Sequence, residues 1–157
     1  VRAFAFCEGP GSILGIRTAA MALRVWNVFA PRPTFSFCSL KAVAYDLAAH
    51  RSGETFSVIA DARRNTWHRV TVQIGLVGPL RRASPAELPS LLFMPENFRA
   101  WSAPPLATKT ASYDLAGLLP RVAEADLFHP VDEPDAFMHE MPSYQTWTPR
   151  IHGAAGP

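Results

Sequence analysis

The chain has 157 residues, of which 48% are hydrophobic and 18% charged, a composition typical of a globular protein long enough to bury a core. Its net charge of +2 permits contact with a nucleic acid but does not indicate a dedicated nucleic-acid binder. No apolar run reaches the roughly 20 residues of a membrane span and no secretory signal is recognisable, so the sequence predicts a cytoplasmic protein without a membrane segment.

The first predicted elements are an apolar strand, Arg2 to Cys7, and a long helix, Gly15 to Phe29, joined by a glycine-rich turn. The candidate site residues of this turn are Gly9, Pro10, Gly11, Ser12, Gly15 and Arg17, with Ser12 as the helix N-cap. The helix N-terminus is suited to an anion. The spacing G-x-G-x-x-x-G is one residue longer than the dinucleotide fingerprint, however, so we favour a tight turn without a ligand.

Polar residues of this first helix occur only at Arg17, Thr18, Arg24 and Asn27. The apolar surface is wider than the ~100° that one core contact requires. One apolar face must pack on the sheet, and the other is either covered by a partner or another segment, which we favour, or belongs to a self-covered core helix. The candidate interface residues are Ala19, Ala22, Leu23 and Trp26.

A second strand-helix pair follows, with a strand from Thr34 to Cys38 and a helix capped by Ser39. Strands Thr55 to Ala60 and Thr66 to Ile74 then form a β-hairpin, whose second strand alternates between a buried face beginning at His68 and a wet face beginning at Trp67. This order of elements is typical of an α/β fold with a largely parallel sheet.

Asp61 and Arg63 mark the hairpin turn. Two interpretations remain open: the pair contacts a ligand, or it fixes the hairpin through a turn hydrogen bond and an ion pair. We favour the second, because Asp is a common turn residue.

The C-terminal half contains most of the 15 prolines and is predicted to be rich in loops. Ser84 to Glu87 is a capping box that opens a short helix, and Leu91 to Phe93 is a candidate strand. A last helix is predicted from Ser112 to about Asp126, and residues 129–157 are predicted to be an irregular tail.

Three blocks occur in the order found in one known family. They are GPGSILGIR after the first strand, FSFCSLK from Phe35, and VIADARR from Val58. This arrangement resembles the TsaB (YeaZ) family of Gcp-like domain proteins, which act in bacterial tRNA threonylcarbamoyladenosine modification. Family members have a D-T-S strand, a hairpin and a helix ahead of the first block, so we expect a mis-assigned start or a truncated N-terminus.

The resemblance implies an actin-like ATPase fold (ribonuclease H-like, ASKHA), with an incomplete first subdomain at residues 1–52 and a smaller second subdomain at 53–128. It also implies a non-catalytic accessory subunit that pairs with the catalytic subunit TsaD, works with the ATPase TsaE and meets tRNA only indirectly. A homodimer is a further possibility. No cofactor is expected on the chain alone, with ATP or ADP expected only in the assembled complex.

The chemistry-bearing residues agree with a non-catalytic function. No H-x-x-x-H pair is present among the histidines, so no metal site is predicted, and Cys7 and Cys38 are expected to be reduced core thiols. No catalytic residue is therefore assigned. The alternative is a nucleotide-binding enzyme of the actin-like ATPase and sugar-kinase superfamily that uses the glycine-rich turn for phosphate.

Overall fold

The computed structural model describes residues 1–105 and 107–137, which form a mixed α/β fold with two sheets and three α-helices. The strands are β1 (Phe4–Gly9), β2 (Thr34–Cys38), β3 (Thr55–Asp61), β4 (Trp67–Gln73), β5 (Leu76–Val77), β6 (Arg81–Ala83), β7 (Leu92–Pro95), β8 (Lys109–Ala111) and β9 (His129–Pro130). The helices are α1 (Ile13–Phe29), α2 (Ser39–His50) and α3 (Leu115–Arg121), with a short 3₁₀ helix at Pro85–Glu87.

The smaller sheet, sheet A, has the order β1-β2-β9. Strands β1 and β2 are parallel, as the intervening helix α1 requires, and β9 is antiparallel to β2. Strand β9 comes from the segment predicted to be an irregular tail, so that prediction is wrong at residues 129 and 130. The rest of the tail beyond Phe137 lies outside the described residues.

The larger sheet, sheet B, has the order β5-β4-β3-β7-β8, with β6 sharing the outer edge of β4 with β5. The predicted hairpin is confirmed as β3 and β4, which are antiparallel, whereas β3, β7 and β8 run parallel to one another. The α/β class is therefore confirmed, but both sheets are mixed. Strands β5, β6 and β8 are additional to those predicted, because strands of two or three residues have no detectable periodicity.

Helix α2 lies between the two sheets and forms the centre of the core. Leu40 and Val43 are fully buried in one cluster with Phe37 from sheet A and with Val58 and Val70 from sheet B. Asp46 on this helix also accepts a hydrogen bond of 2.6 Å from the Arg121 guanidinium, which ties α3 to α2. The core thus joins residues on both sides of Ser52, and the domain boundary predicted there stays a prediction.

Three local predictions are wrong. Ser39 is the first residue of α2 instead of its cap, and its hydroxyl donates to the Pro10 carbonyl at 2.9 Å. The last helix begins at Leu115 behind Asp114, whose carboxylate accepts from the first-turn N–H groups and so makes the better cap. Trp67 is only 1% exposed, because the segment around Leu88 to Met94 covers the face of β4 that was predicted to be wet.

Candidate functional site

The glycine-rich turn connects β1 to α1 and is filled by the chain itself. Gly9 has a φ of +125°, a conformation that favours glycine, and a Cβ at Gly9 or Gly11 would stand 3.4 Å from the Ile16 side chain. The Ser12 side chain accepts from the Gly15 N–H at 3.4 Å, which confirms Ser12 as the N-cap. The structure therefore shows how the sequence builds a tight turn, and anion binding there stays a prediction.

Arg17, the last residue of the predicted turn site, lies beside the segment that follows β9. Its guanidinium lies 3.8 Å from the carboxylate of Asp135 in the segment after β9, and both side chains are more than half exposed. An exposed pair at this distance adds little stability. The contact that the structure shows for Arg17 is thus with Asp135, and a role in anion binding stays a prediction.

The polar side of α1 faces the rest of the protein. Arg24 donates to the Pro134 carbonyl at 2.9 Å, and the Asn27 amide donates to the Thr34 hydroxyl of β2 at 3.1 Å. Ala20 lies on the same side of the helix, in the sector between Arg24 and Asn27, and is only 2% exposed. The polar residues therefore hold α1 onto sheet A and onto the segment that follows β9.

The apolar side of α1 faces outward. At 100° per residue, Ala22 lies near the centre of an arc that contains one polar residue, Thr18. The other exposed members of this arc, called here the α1 outer face, are Leu14, Ala19, Met21, Val25, Trp26, Val28 and Phe29. Phe29 and Val28 are 81% and 79% exposed. The second apolar face expected from the sequence is thus present and is uncovered by the described residues.

The four predicted interface residues do not all lie on this face. Ala19, Ala22 and Trp26 are exposed, whereas Leu23 is half-buried and lies at the flank that turns toward sheet A. Trp26 is positioned by Phe4 of β1, since the two rings stack with centroids 5.8 Å apart and planes inclined by 11°. The indole is therefore fixed in place before any partner binds.

The turn of the β3–β4 hairpin is fixed by Asp61, as favoured from the sequence. One carboxylate oxygen accepts from the Arg63 N–H, and the other accepts from the N–H groups of Trp101 and Ser102 at 2.9 and 2.7 Å. The predicted ion pair is not formed: the Arg63 guanidinium lies over the Trp101 ring, 4.5 Å from its centroid. The sequence did not indicate Trp101, because it is 40 residues away from Asp61.

Hydrogen bonding also determines the charge state of Asp61. Burial would raise the pKa of this carboxyl, but hydrogen bonds from the backbone of Ser102, Arg63 and Trp101 outweigh that effect and hold the pKa below its ordinary value. The carboxylate therefore remains ionised at neutral pH and ties the loop around Trp101 to the hairpin turn.

We expect Asp61→Ala to lower the free energy of unfolding by about 1 to 3 kcal/mol at pH 7, because three backbone N–H groups lose a charged acceptor. Urea unfolding followed by circular dichroism measures this. Asp132→Ala, at an exposed carboxylate, is the control and should stay within ~0.5 kcal/mol.

The parent and Asp61→Ala also test the lowered pKa of the Asp61 carboxyl. A carboxyl whose pKa is lower in the folded state stabilises the protein above its unfolded pKa, about 3.9, and loses that contribution as the pH falls through the folded pKa. The difference between the parent and Asp61→Ala should therefore be constant from pH 7 to 5 and shrink toward pH 3. A difference that grows on acidification would contradict the assignment.

The two cysteines behave as core residues. Both thiols are free, Cys38 is buried, and burial raises its pKa to about 11. Burial likewise raises the pKa of Cys7, whose sulfur lies 4.0 Å from the Tyr113 hydroxyl. Because the thiolate is the nucleophile, neither thiol is activated at neutral pH.

Within residues 1–105 and 107–137, no three side chains of His, Cys, Asp or Glu are grouped to hold a metal ion. None of the helices in this part of the chain is long and apolar enough to cross a membrane.

Comparison with known proteins identifies the fold. The chain is similar to the crystal structure of an uncharacterized protein with similarity to peptidase YEAZ from Pseudomonas aeruginosa, at 19% identity and a TM-score of 0.52, over 92% of this chain and 73% of the other. It is also similar to YeaZ from Pseudomonas aeruginosa, at 17% identity and a TM-score of 0.55, over 88% of this chain and 74% of the other. No protein-family model and no curated protein sequence matches the chain. The predicted resemblance to YeaZ is therefore confirmed at the level of the fold.

Proposed function

We propose that this chain is a non-catalytic accessory subunit of the TsaB (YeaZ) type, which pairs with the catalytic subunit TsaD. The pair would transfer a threonylcarbamoyl group to the adenosine next to the anticodon of tRNA, with the ATPase TsaE as a further partner. The three ordered sequence blocks and the similarity to the YeaZ structures support this proposal. The proposal also includes an actin-like arrangement of subdomains, a cytoplasmic location, and binding of ATP or ADP only in the assembled complex.

The observation that best supports a partner subunit is the orientation of α1. In a typical surface helix the apolar stripe faces the core and the polar side faces water. Here Arg24 and Asn27 bond to the chain's own backbone and side chains, while the face centred on Ala22 is exposed. Exposing this apolar face to water lowers the stability of the free chain. Exposed apolar patches of this kind mark protein interfaces.

The size of the α1 outer face fits a stable interface. Burying a Val, Leu, Phe or Met side chain fully contributes about 1.5 to 3 kcal/mol, and six large apolar side chains lie on this face. Their sum is comparable to the ~4 to 15 kcal/mol that association costs in lost freedom. Ala19 and Ala22, beside the larger Trp26, let a partner helix approach closely.

The proposal assigns no catalytic residue to the chain. The Ser12 hydroxyl caps α1, and the Cys7 and Cys38 thiols have raised pKa values, so three potential nucleophiles have structural functions. Catalysis would then come from the partner.

Complementation tests the proposal. The chain is produced in a bacterial strain depleted of its own TsaB, and threonylcarbamoyladenosine in total tRNA is measured by mass spectrometry of the nucleosides. We expect the modification to return and tagged TsaD to co-purify with the chain. If circular dichroism shows the purified chain to be folded while neither result is obtained, the proposal is wrong.

A further inference from the structure

An exposed tryptophan lies beside two arginines at the hairpin-turn end of sheet B. Trp101 is 52% exposed, and the guanidinium carbons of Arg63 and Arg99 lie 4.5 and 5.1 Å from its ring centroid. Both arginines are exposed, and within the described residues neither forms a salt bridge with a carboxylate. This Trp101 cluster therefore combines a flat aromatic surface with two positive charges available to a ligand.

The cluster is held in place by its backbone. Asp61 accepts hydrogen bonds from the N–H groups of Arg63 and Trp101, so the hairpin turn and the loop that contains Trp101 are fixed to each other. Arg63, Arg64 and Asn65 all have positive φ values, of 64°, 52° and 55°. Consecutive non-glycine residues in this conformation are energetically costly and are retained where the surroundings impose them.

The segment of the sequence that carries this cluster is basic. Between Asp61 and Trp101 the sequence has six arginines and three carboxylates, a formal charge of +3, whereas the rest of the chain has a net charge of −1. Arg64 is exposed next to Arg63, and Arg82 reaches the same turn by donating to the Thr66 hydroxyl at 2.8 Å. The hairpin-turn end of sheet B is therefore more basic than the overall net charge of +2 indicates.

The two arginine charges of the Trp101 cluster lie close enough to repel one another. The guanidinium carbons of Arg63 and Arg99 are at most 9.6 Å apart, because both distances are measured to the same ring centre. This separation is close to the Debye length of about 8 Å at physiological ionic strength, so the repulsion is only partly screened. A polyanion would relieve it.

From this combination we infer that the Trp101 cluster is a contact surface for single-stranded RNA. A base stacks on the indole or on a guanidinium plane, and the arginine N–H groups, which stacking leaves free, donate to phosphates. A single strand is required because bases in a duplex are already stacked. The inference does not depend on the proposed function, which uses the α1 outer face.

Fluorescence anisotropy of a labelled oligouridine of about 12 nucleotides, a length within the usual range of single-strand sites, tests the inference. We expect Trp101→Ala to weaken binding about tenfold, in line with the loss of one stacked base, and Trp101→Phe to retain most of the affinity. The control is Arg2→Gln, which alters an exposed arginine elsewhere on the chain and should bind like the parent.

The salt dependence separates stacking from charge. For a single strand the slope of log K against log salt changes by roughly 0.7 for each phosphate contact, so Arg63→Gln with Arg99→Gln should flatten the slope by about 1.4. Trp101→Ala should lower the affinity and leave the slope unchanged. Thermal melting shows whether each variant is folded. If the double arginine variant is not folded, Arg99→Gln alone replaces it, because Arg99 is exposed.

Three results would overturn the inference: no binding of the parent at low salt, equal binding of the parent and Trp101→Ala, or equal binding of a duplex of the same length. Co-purification of TsaD should be unaffected by Trp101→Ala. A failure of RNA binding is thereby distinguished from a failure of the proposed function.

Discussion

Replacing Ala22 with Glu is expected to abolish binding of TsaD while leaving the fold of the chain intact. Ala22 is exposed at the centre of the α1 outer face, so in the free chain the new carboxylate points into water. In a complex it would be buried against apolar groups without a counter-charge, at a cost of several kcal/mol. Since each 1.4 kcal/mol is a factor of ten, binding should weaken by at least about 100-fold.

Co-purification with tagged TsaD and isothermal titration calorimetry measure this loss. Ala86→Glu is the matched control, because Ala86 is an exposed alanine in the short helix beside sheet B and the change in charge is the same. It should bind TsaD like the parent. Both variants should unfold within ~0.5 kcal/mol of the parent, as surface substitutions usually do.

The alternative occupant of the α1 outer face is a second copy of the chain. Analytical ultracentrifugation of the parent and Ala22→Glu distinguishes the two cases, because a homodimer through this face would dissociate in the variant even without TsaD. Normal binding of TsaD by Ala22→Glu would contradict the interface assignment. Leu23 should contribute little to binding of either occupant, since its side chain is already half-buried within the chain.

The first part of the fold could be predicted because its signals are local. The apolar strand, the Ser12 cap and the uninterrupted run to Phe29 define α1 within two residues of its observed bounds. The bounds of β2, Thr34–Cys38, agree with the prediction. Prolines before the strand and helical periodicity after it need no knowledge of distant contacts. The exposed side of α1 was predictable for the same reason, because its apolar surface is too wide for one sheet.

The part of the structure that sequence patterns missed depends on distant segments. Trp67 is buried because residues after the hairpin fold back over it, and β9 pairs with β2 although the paired residues Phe35 and Pro130 are 95 positions apart in the sequence. Trp101 and Arg63 have no local pattern in common, and they meet because Asp61 accepts from the backbone of both segments.

The second prediction with a large expected effect concerns the stability contributed by helix α2. We expect Leu40→Ala to lower the free energy of unfolding by about 2 to 5 kcal/mol, because Leu40 is fully buried and its truncation leaves a cavity. For a chain of this size that corresponds to a fall in melting temperature of roughly 4 to 20 °C. Leu47→Ala on the same helix is the matched comparison, and because Leu47 is less completely buried than Leu40 we expect a smaller cost.

The shape of the unfolding transition tests whether the two sheets unfold as one unit. Leu40 lies in one cluster with Phe37 of sheet A and with Val58 and Phe93 of sheet B, so the two sheets should unfold together. Urea unfolding followed by circular dichroism and by tryptophan fluorescence should give coincident single transitions for the parent and for both variants. If residues 1–52 instead form a separate unit, the probes will separate and Leu40→Ala will shift only one of two transitions. A loss below ~1 kcal/mol for Leu40→Ala would show that α2 is not the centre of the core, since a fully buried leucine cannot be truncated at so small a cost in a tightly packed interior.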